Sequence, residues 1–145
     1  MFRVGLAVLL LLTGCSSADG GGIQPGPQTS AKEPVTVVVA RTGGFAGVMD
    51  TITVLPDGSW THPTGLTVTG KVDPAKFAAL QQLATDPRLA TEAATTAAPT
   101  QCRDAFDYTV TAGTLTVTFT DCPSDAYQPL VTKQLVDLVQ KAVSP

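Results

Sequence analysis

Between Phe106 and Phe119 apolar and polar residues alternate almost without interruption, and that pattern constrains the chain more than any other. Phe106, Tyr108 and Val110 are separated by Asp107 and Thr109, and Leu115, Val117 and Phe119 by Thr116 and Thr118. A side-chain period of two belongs to a half-buried strand. Two such runs around Ala112-Gly113 predict a β-hairpin. With a two-residue turn at Ala112-Gly113, Phe106 opposes Phe119, Tyr108 opposes Val117 and Val110 opposes Leu115, all on one face. Thr109/Thr116 and Asp107/Thr118 fall on the other. One face is core and one is wet. Cys102 and Cys122 bracket the hairpin as near neighbours rather than opposed residues, so the ladder must end or bulge before they meet.

The remaining elements follow from the same rules. Val35 to Ala40 is a β-branched run and predicts a buried strand. Arg41-Thr42-Gly43-Gly44-Phe45-Ala46-Gly47 interrupts it with three glycines, so the backbone turns there. Val48, Ile52 and Val54 resume a strand to Leu55, with the polar Asp50 breaking the pattern. Pro56-Asp57-Gly58-Ser59 is a turn. A short strand through Trp60 and another from Leu66 to Val72 follow, made irregular by Pro63 and Gly65. Asp73-Pro74 reads as a helix N-cap with proline at the first position, and Asp86-Pro87 ends that helix. Its face carries Phe77, Leu80 and Ala84, with Leu83 alongside. Thr91 to Thr100 reads as a loop or a frayed turn. Val131, Leu135, Leu138 and Ala142 lie at i, i+4, i+7 and i+11, an amphipathic helix preceded by Pro129. The expected class is α+β: an antiparallel sheet with two helices packed on one face, forming one domain from residue 34 to 145.

The first fourteen residues carry Arg3 and an apolar run from Val4 to Leu12, too short to span a bilayer but suited to a signal-peptide core. Leu12-Thr13-Gly14-Cys15 resembles the lipobox of bacterial lipoproteins. The resemblance implies a diacylglyceryl group on Cys15, cleavage before it and frequent acylation of the new amino terminus; the alternative is an ordinary cleaved leader with an incidental cysteine. Two or three acyl chains anchor stably where one is marginal. The expected location is the extracytoplasmic side of the bacterial cell membrane. Ser16 to Glu33 is Gly, Ser, Pro and Gln with little apolar content, a flexible tether of roughly 20–25 Å typical reach. With Cys15 lipidated, Cys102 and Cys122 remain as a pair in an oxidising compartment, where a disulfide is expected. A closed loop of about 20 residues would contribute roughly 3 kcal/mol in the chain-entropy model. Lying away in sequence from the glycine motif, the bridge is expected to serve stability more than recognition.

The chain of 145 residues has a formal charge of −3 and no Lys/Arg cluster, so no footprint for nucleic acid or anionic lipid is expected. Neither cofactor nor metal is expected, because the only histidine, His62, is far in sequence from the cysteines. A Ser-His-Asp arrangement would have to recruit Ser59, Ser124 or Ser144 to His62. Asp50, Asp57, Asp104 and Asp107 read as solvated or capping carboxylates. No H-E-x-x-H, phosphate loop or dinucleotide fingerprint occurs, and an enzyme is not expected. The glycine-rich turn leaves two readings open: a tight connection with Phe45 tucked into the core, or a binding loop with Phe45 as apolar anchor and Arg41 as charge.

Val39-Ala40-Arg41-Thr42-Gly43-Gly44-Phe45-Ala46-Gly47 resembles the strand and Gly-Gly-Phe-Ala-Gly signature of the emfourin (protealysin inhibitor) family. The similarity continues through Asp50 to Leu55. It is looser at the helix carrying Phe77, Leu80 and Leu83, at Phe106 to Val110, and at the C-terminal helix with Leu135 and Leu138. In element order it covers Pro34 to Val143, although only the glycine motif is specific. The resemblance implies a small α+β protein that inhibits thermolysin-like zinc metalloproteases by occupying the active-site cleft, with Arg41 to Gly47 as the protease-binding loop; the chain itself is expected to be a monomer. The chain departs from the family in its lipid anchor, its cysteine pair and the Trp60-to-Val72 extension. The competing expectation is an accessory envelope lipoprotein that binds another protein without inhibiting it. An exposed Phe45 or Leu66 would favour the inhibitor; a buried Phe45 with an apolar groove elsewhere would favour the accessory role.

Overall fold

The computed structural model describes residues 32–64 and 66–144. The leader, Cys15 and the tether up to residue 31 lie outside them. The chain divides at Lys32, and the unit from there onward holds its own hydrophobic core, the condition for folding alone. Its strands are β1 (Val37–Gly43), β2 (Val48–Val54), β3 (Ser59–Thr64), β4 (Leu66–Lys71), β5 (Phe106–Ala112) and β6 (Leu115–Thr120). Its helices are α1 (Pro74–Ala84), α2 (Pro87–Ala93) and α3 (Leu130–Val143). All strand pairings are antiparallel, in the order β4-β3-β2-β1-β5-β6. This is the expected α+β class.

Alternation sorts the strands into two faces. Val37, Val39, Ile52, Val54, Tyr108, Val110, Val117 and Phe119 are buried and share a core with Leu80, Leu89, Leu135 and Val139 of the helices. The opposite face presents Thr51, Thr53, Thr61, Thr109, Thr111, Thr116 and Thr118. There the hydroxyls of the cross-strand pair Thr111 and Thr116 lie 3.1 Å apart.

Two expectations about local structure need correction. The β5–β6 register pairs Tyr108 with Phe119, Val110 with Val117 and Ala112 with Leu115, two residues from the expected register. The turn is Gly113-Thr114, not Ala112-Gly113. Its first central position needs positive φ, which Gly113 supplies at 60° without a Cβ penalty. A slip of two preserves every face, so the expected core face stands while the cross-strand partners change. Tyr108 and Phe119 stack with ring centroids 5.0 Å apart. Secondly, Asp86-Pro87 both ends α1 and starts α2. The Asp86 carboxylate accepts from the Arg88 backbone N–H at 2.8 Å, and from its side-chain Nε at 3.0 Å and Nη2 at 2.7 Å. The Arg88 side-chain bonds hold the Asp86 carboxyl down to about 2. A third helix, Pro87–Ala93, therefore follows where the sequence predicts only the end of α1; it takes up the first three residues of the expected Thr91-to-Thr100 loop, and residues 95–100 are irregular as expected.

That short helix positions α3. The N-cap of α3 is Pro129, which offers no side-chain acceptor, and the first turn has no acidic residue. Glu92 of α2 takes the role from outside. Its Oε1 accepts from Val131 N at 2.8 Å, and its Oε2 from Thr132 N at 2.9 Å and Thr132 Oγ1 at 2.6 Å. A carboxylate on a helix N-terminus satisfies orphan donors and favours the dipole. Tyr127 donates to the Glu92 carbonyl at 2.8 Å, and burial, then the Glu92 charge, pushes its phenol upward. The buried stripe of α3 is Val131, Thr132, Leu135, Val136, Val139 and Val143, with Leu138 and Ala142 at its margin.

Glu92→Gln, which puts an amide against backbone donors, should destabilise the domain by about 1.5–3 kcal/mol, the range for hydrogen bonds to a charged group. In urea titration the midpoint should fall while the slope stays unchanged.

Candidate functional site

The glycine motif divides between two roles. Arg41, Thr42 and Gly43 complete β1, and Gly44, Phe45, Ala46 and Gly47 form the turn into β2. The turn is closed by Gly47 N donating to Gly44 O at 3.1 Å. Its root is pinned to β5 by Gly44 N donating to Ala105 O at 3.0 Å. Gly43 and Gly44 hold φ of 90° and 69°. A Cβ on Gly43 would sit 2.9 Å from Ala105 O, and one on Gly44 2.5 Å from the Phe106 ring. Conformation and close approach both require glycine at these two positions.

Phe45 projects from the apex of this braced turn, 94% exposed, with Met49 at 88% close behind it on β2. The reading that tucks Phe45 into the core is thereby corrected: the ring meets no side chains of the sheet, and Phe106 fills the space beneath the turn instead. Leu66, 82% exposed, begins β4. Gly43 pairs with Val48 and Phe106, and β3 runs antiparallel to β2 from the Val54–Trp60 pair. The register thus brings both hairpin tips to one end of the sheet.

Arg41 does not join that exposed surface. Its side chain lies on the helix side, with the guanidinium 4.8 Å over the Phe106 ring and Nη2 donating to Asp50 Oδ2 at 3.1 Å. The other Asp50 oxygen, Oδ1, is 2.5 Å from His62 Nε2. One carboxylate thus links β1, β2 and β3. Against the expectation of a solvated carboxylate, Asp50 is partly buried between two basic side chains. The register carries the missed signal. With Gly43 opposite Val48, Arg41 stands directly opposite Asp50, so the two are readable as a cross-strand ion pair once the turn length is known. His62 is one strand further on and could not be found without the β2–β3 pairing.

A cleft of about 350 Å³ opens beside the cluster, lined by Arg41, Asp50, Ile52, His62, Gln140, Val143 and Ser144. It brings together the acid, imidazole and hydroxyl that a hydrolase would need. The hydroxyl is not directed to the task, since Ser144 Oγ donates to Gln140 O at 2.7 Å. Arg41 Nε is buried without a hydrogen-bond partner, which makes Asp50 the chief compensation for that charge. Among the described residues no group of three His, Cys, Asp or Glu side chains could hold a metal ion.

Cys102 and Cys122 form a disulfide with Cα atoms 5.8 Å apart, just past the last β5–β6 pair at Asp107 and Thr120. Ser59 and Ser124 lie elsewhere: Ser59 Oγ donates to Asp57 at 2.6 Å, and Ser124 Oγ is 3.2 Å from Cys122 Sγ. Ser59 holds the Asp57 carboxyl below its usual range. Although distant in sequence from the glycine motif, the bridge is near it in space. Only Arg103 and Asp104 separate Cys102 from Ala105, the acceptor for Gly44, and Asp104 turns the chain there with φ of 57°. The bridge and the tip share one brace.

Among the described residues no helix is long and apolar enough to cross a membrane. No protein-family model matches the chain, and a comparison with curated proteins finds no match.

Asp50→Ala would leave the Arg41 guanidinium without its carboxylate in a partly buried site. Removing one partner of such a pair costs about 1–3 kcal/mol, so the melting temperature should drop by several degrees. Asp50→Asn, which keeps one acceptor, should drop it less; equal melting of both variants with the parent would show the cluster to be energetically idle.

Proposed function

We propose that this chain is a lipid-anchored extracytoplasmic protein that inhibits a thermolysin-like zinc metalloprotease by inserting its β1–β2 tip into the active-site cleft. The observation that carries the reading is Phe45, 94% exposed at the apex of a turn fixed by two glycines, a backbone bond to Ala105 and the Phe106 ring. The domain gains nothing in its own fold from a fully exposed aromatic, and an apolar projection on a rigid scaffold is what a concave partner site accepts. Rigidity helps because little ordering entropy remains to be lost on binding. The resemblance of Val39 to Gly47 to the emfourin signature supplies the partner class, and such enzymes accept large apolar side chains beside the scissile bond.

Fully burying a Phe side chain contributes about 2–3 kcal/mol, or roughly 30- to 140-fold in affinity. Phe45→Ala should therefore raise the inhibition constant against a responsive zinc metalloprotease by that factor while leaving the melting temperature unchanged. Gly44→Ala should raise the inhibition constant and also lower the melting temperature, because the added methyl meets Phe106. No inhibition by the parent domain at micromolar concentration across a panel of such enzymes would shift the function to an accessory lipoprotein binding another envelope protein.

The anchor is part of the same proposal. Cys15→Ser should block acyl transfer, because a hydroxyl does not replace the thiol that attacks the lipid donor. The acylated species should then disappear from the detergent phase of a phase-partition experiment, while the domain, separated by the tether, folds normally. Mass spectrometry that found an unmodified amino terminus away from Cys15 in the parent protein would overturn the anchor.

A further inference from the structure

The two edges of the sheet are treated differently. The segment from Ala97 to Thr100 lies along β6 at Thr118 to Thr120, and α2 packs against the same strand. β4 at the other edge pairs only with β3. Edge strands are usually blunted by charged side chains, proline, inward charge or a bulge; β4 carries one charge, Lys71 at its end, which Asp57 answers at 3.6 Å, and Leu66 to Gly70 has none of these devices.

The hydrogen-bond phase shows which groups are free. Val72 N donates to Gly58 O at 2.9 Å, and the β3–β4 register continues that pairing without a slip. Because bonded and non-bonded pairs alternate in an antiparallel ladder, Trp60–Gly70 and His62–Val68 are bonded pairs. The N–H and C=O groups of Thr67 and Thr69 therefore point outward. On the helix side, Leu66 and Val68 are exposed. Gly70 leaves a gap that the Trp60 indole roofs, since a Cβ there would lie 2.7 Å from the ring.

We infer that β4 is a self-association edge that joins two copies of this chain in an antiparallel β4–β4 pair about a two-fold axis at Val68. In that register Thr67 faces Thr69 of the other copy, and the two symmetric pairs form four backbone hydrogen bonds from groups already aimed outward. Val68 meets its own equivalent, and Leu66 settles over Gly70 against the Trp60 indole of the other copy. A register shifted by one residue would set inward-bonding groups against outward ones. A second copy is the occupant because the strip complements itself and opposes no like charges, in a chain whose formal charge of −3 otherwise disfavours self-contact. The pairing is independent of what the Phe45 tip binds.

The test is cross-linking in the domain beginning at Lys32, which retains the Cys102–Cys122 bridge and has no other thiol. Residues opposed in a non-bonded antiparallel pair have Cα atoms about 4.5 Å apart, within disulfide reach. In a glutathione redox buffer, Val68→Cys should form a disulfide dimer at least tenfold faster than Thr69→Cys or the remote exposed Thr109→Cys. In sedimentation, the mass of the parent should rise with concentration. Thr67→Pro removes one outward N–H without touching the β3 ladder, and should abolish that rise while near-ultraviolet circular dichroism stays unchanged. A Val68→Cys rate no faster than that of Thr109→Cys, or a parent that stays monomeric to millimolar concentration, would overturn the inference.

Discussion

The Glu92 carboxylate determines where α3 can lie, and most of the architecture depends on α3. A helix that begins at proline with no acceptor in its own sequence has its first N–H groups unmet. Glu92 meets two of them, and it sits on α2, a helix of seven residues whose own start is held by Asp86. The order of dependence is therefore Asp86, α2, Glu92, α3. With its amino end fixed beside β6, α3 has 14 residues, about 21 Å at the helical rise. Four strand spacings are about 19 Å, so the helix reaches across the sheet to His62 on β3. Its last turn supplies Gln140, Val143 and Ser144 to the cleft.

The polar cluster follows from where that helix ends. Arg41, Asp50 and His62 occupy positions whose neighbours along the same face, Val39, Ile52 and Trp60, pack into or against the core. Beyond the end of α3 the face is only half covered, and a carboxylate between two basic groups is tolerated where an isolated charge in the full core would not be. The arrangement also ties three strands together directly below the two hairpin tips. Arg41 therefore braces the turn from inside, through Asp50 and through the Phe106 ring, and the exposed apolar surface at this end is left to Phe45 and Met49.

Much of this was legible from residue pattern, and the failures have specific causes. The faces of β5 and β6 were readable because a period of two survives a register slip of two. The register itself depended on which residue carries the positive φ, and choosing Gly113 as the first turn position instead of the second moves every partner. α1 was readable from Asp73-Pro74 and its spacing. α2 was not, because Asp86-Pro87 is equally a stop and a start, and seven residues give too little periodicity to decide. The Phe45 environment was undecidable from sequence: a glycine-rich turn permits the ring to fold inward or outward. What excludes it from the inside is Phe106, sixty-one residues away in the chain, already stacked beneath Gly44. The Glu92 cap left no local trace at all, since its donors lie on another helix.

The investment at one end of the sheet is difficult to explain by stability alone. Two successive glycines, at the end of β1 and the start of the turn, cost more chain entropy on folding than other residues do, and Arg41 Nε is buried without a partner. The left-handed Asp104 and the disulfide fix the three residues that present Ala105 O to Gly44. A plain two-residue turn, such as Gly113-Thr114 at the opposite end, would join two strands without any of this. The extra apparatus holds a turn four residues long in one shape and leaves Phe45 outside it. Exposed aromatics invite nonspecific association, and rigidity is what converts such a group into a selective contact, because a fixed ring fits only a cavity of matching shape. Under the proposed function, the bridge, the ion pair and the glycines would serve recognition as much as the fold.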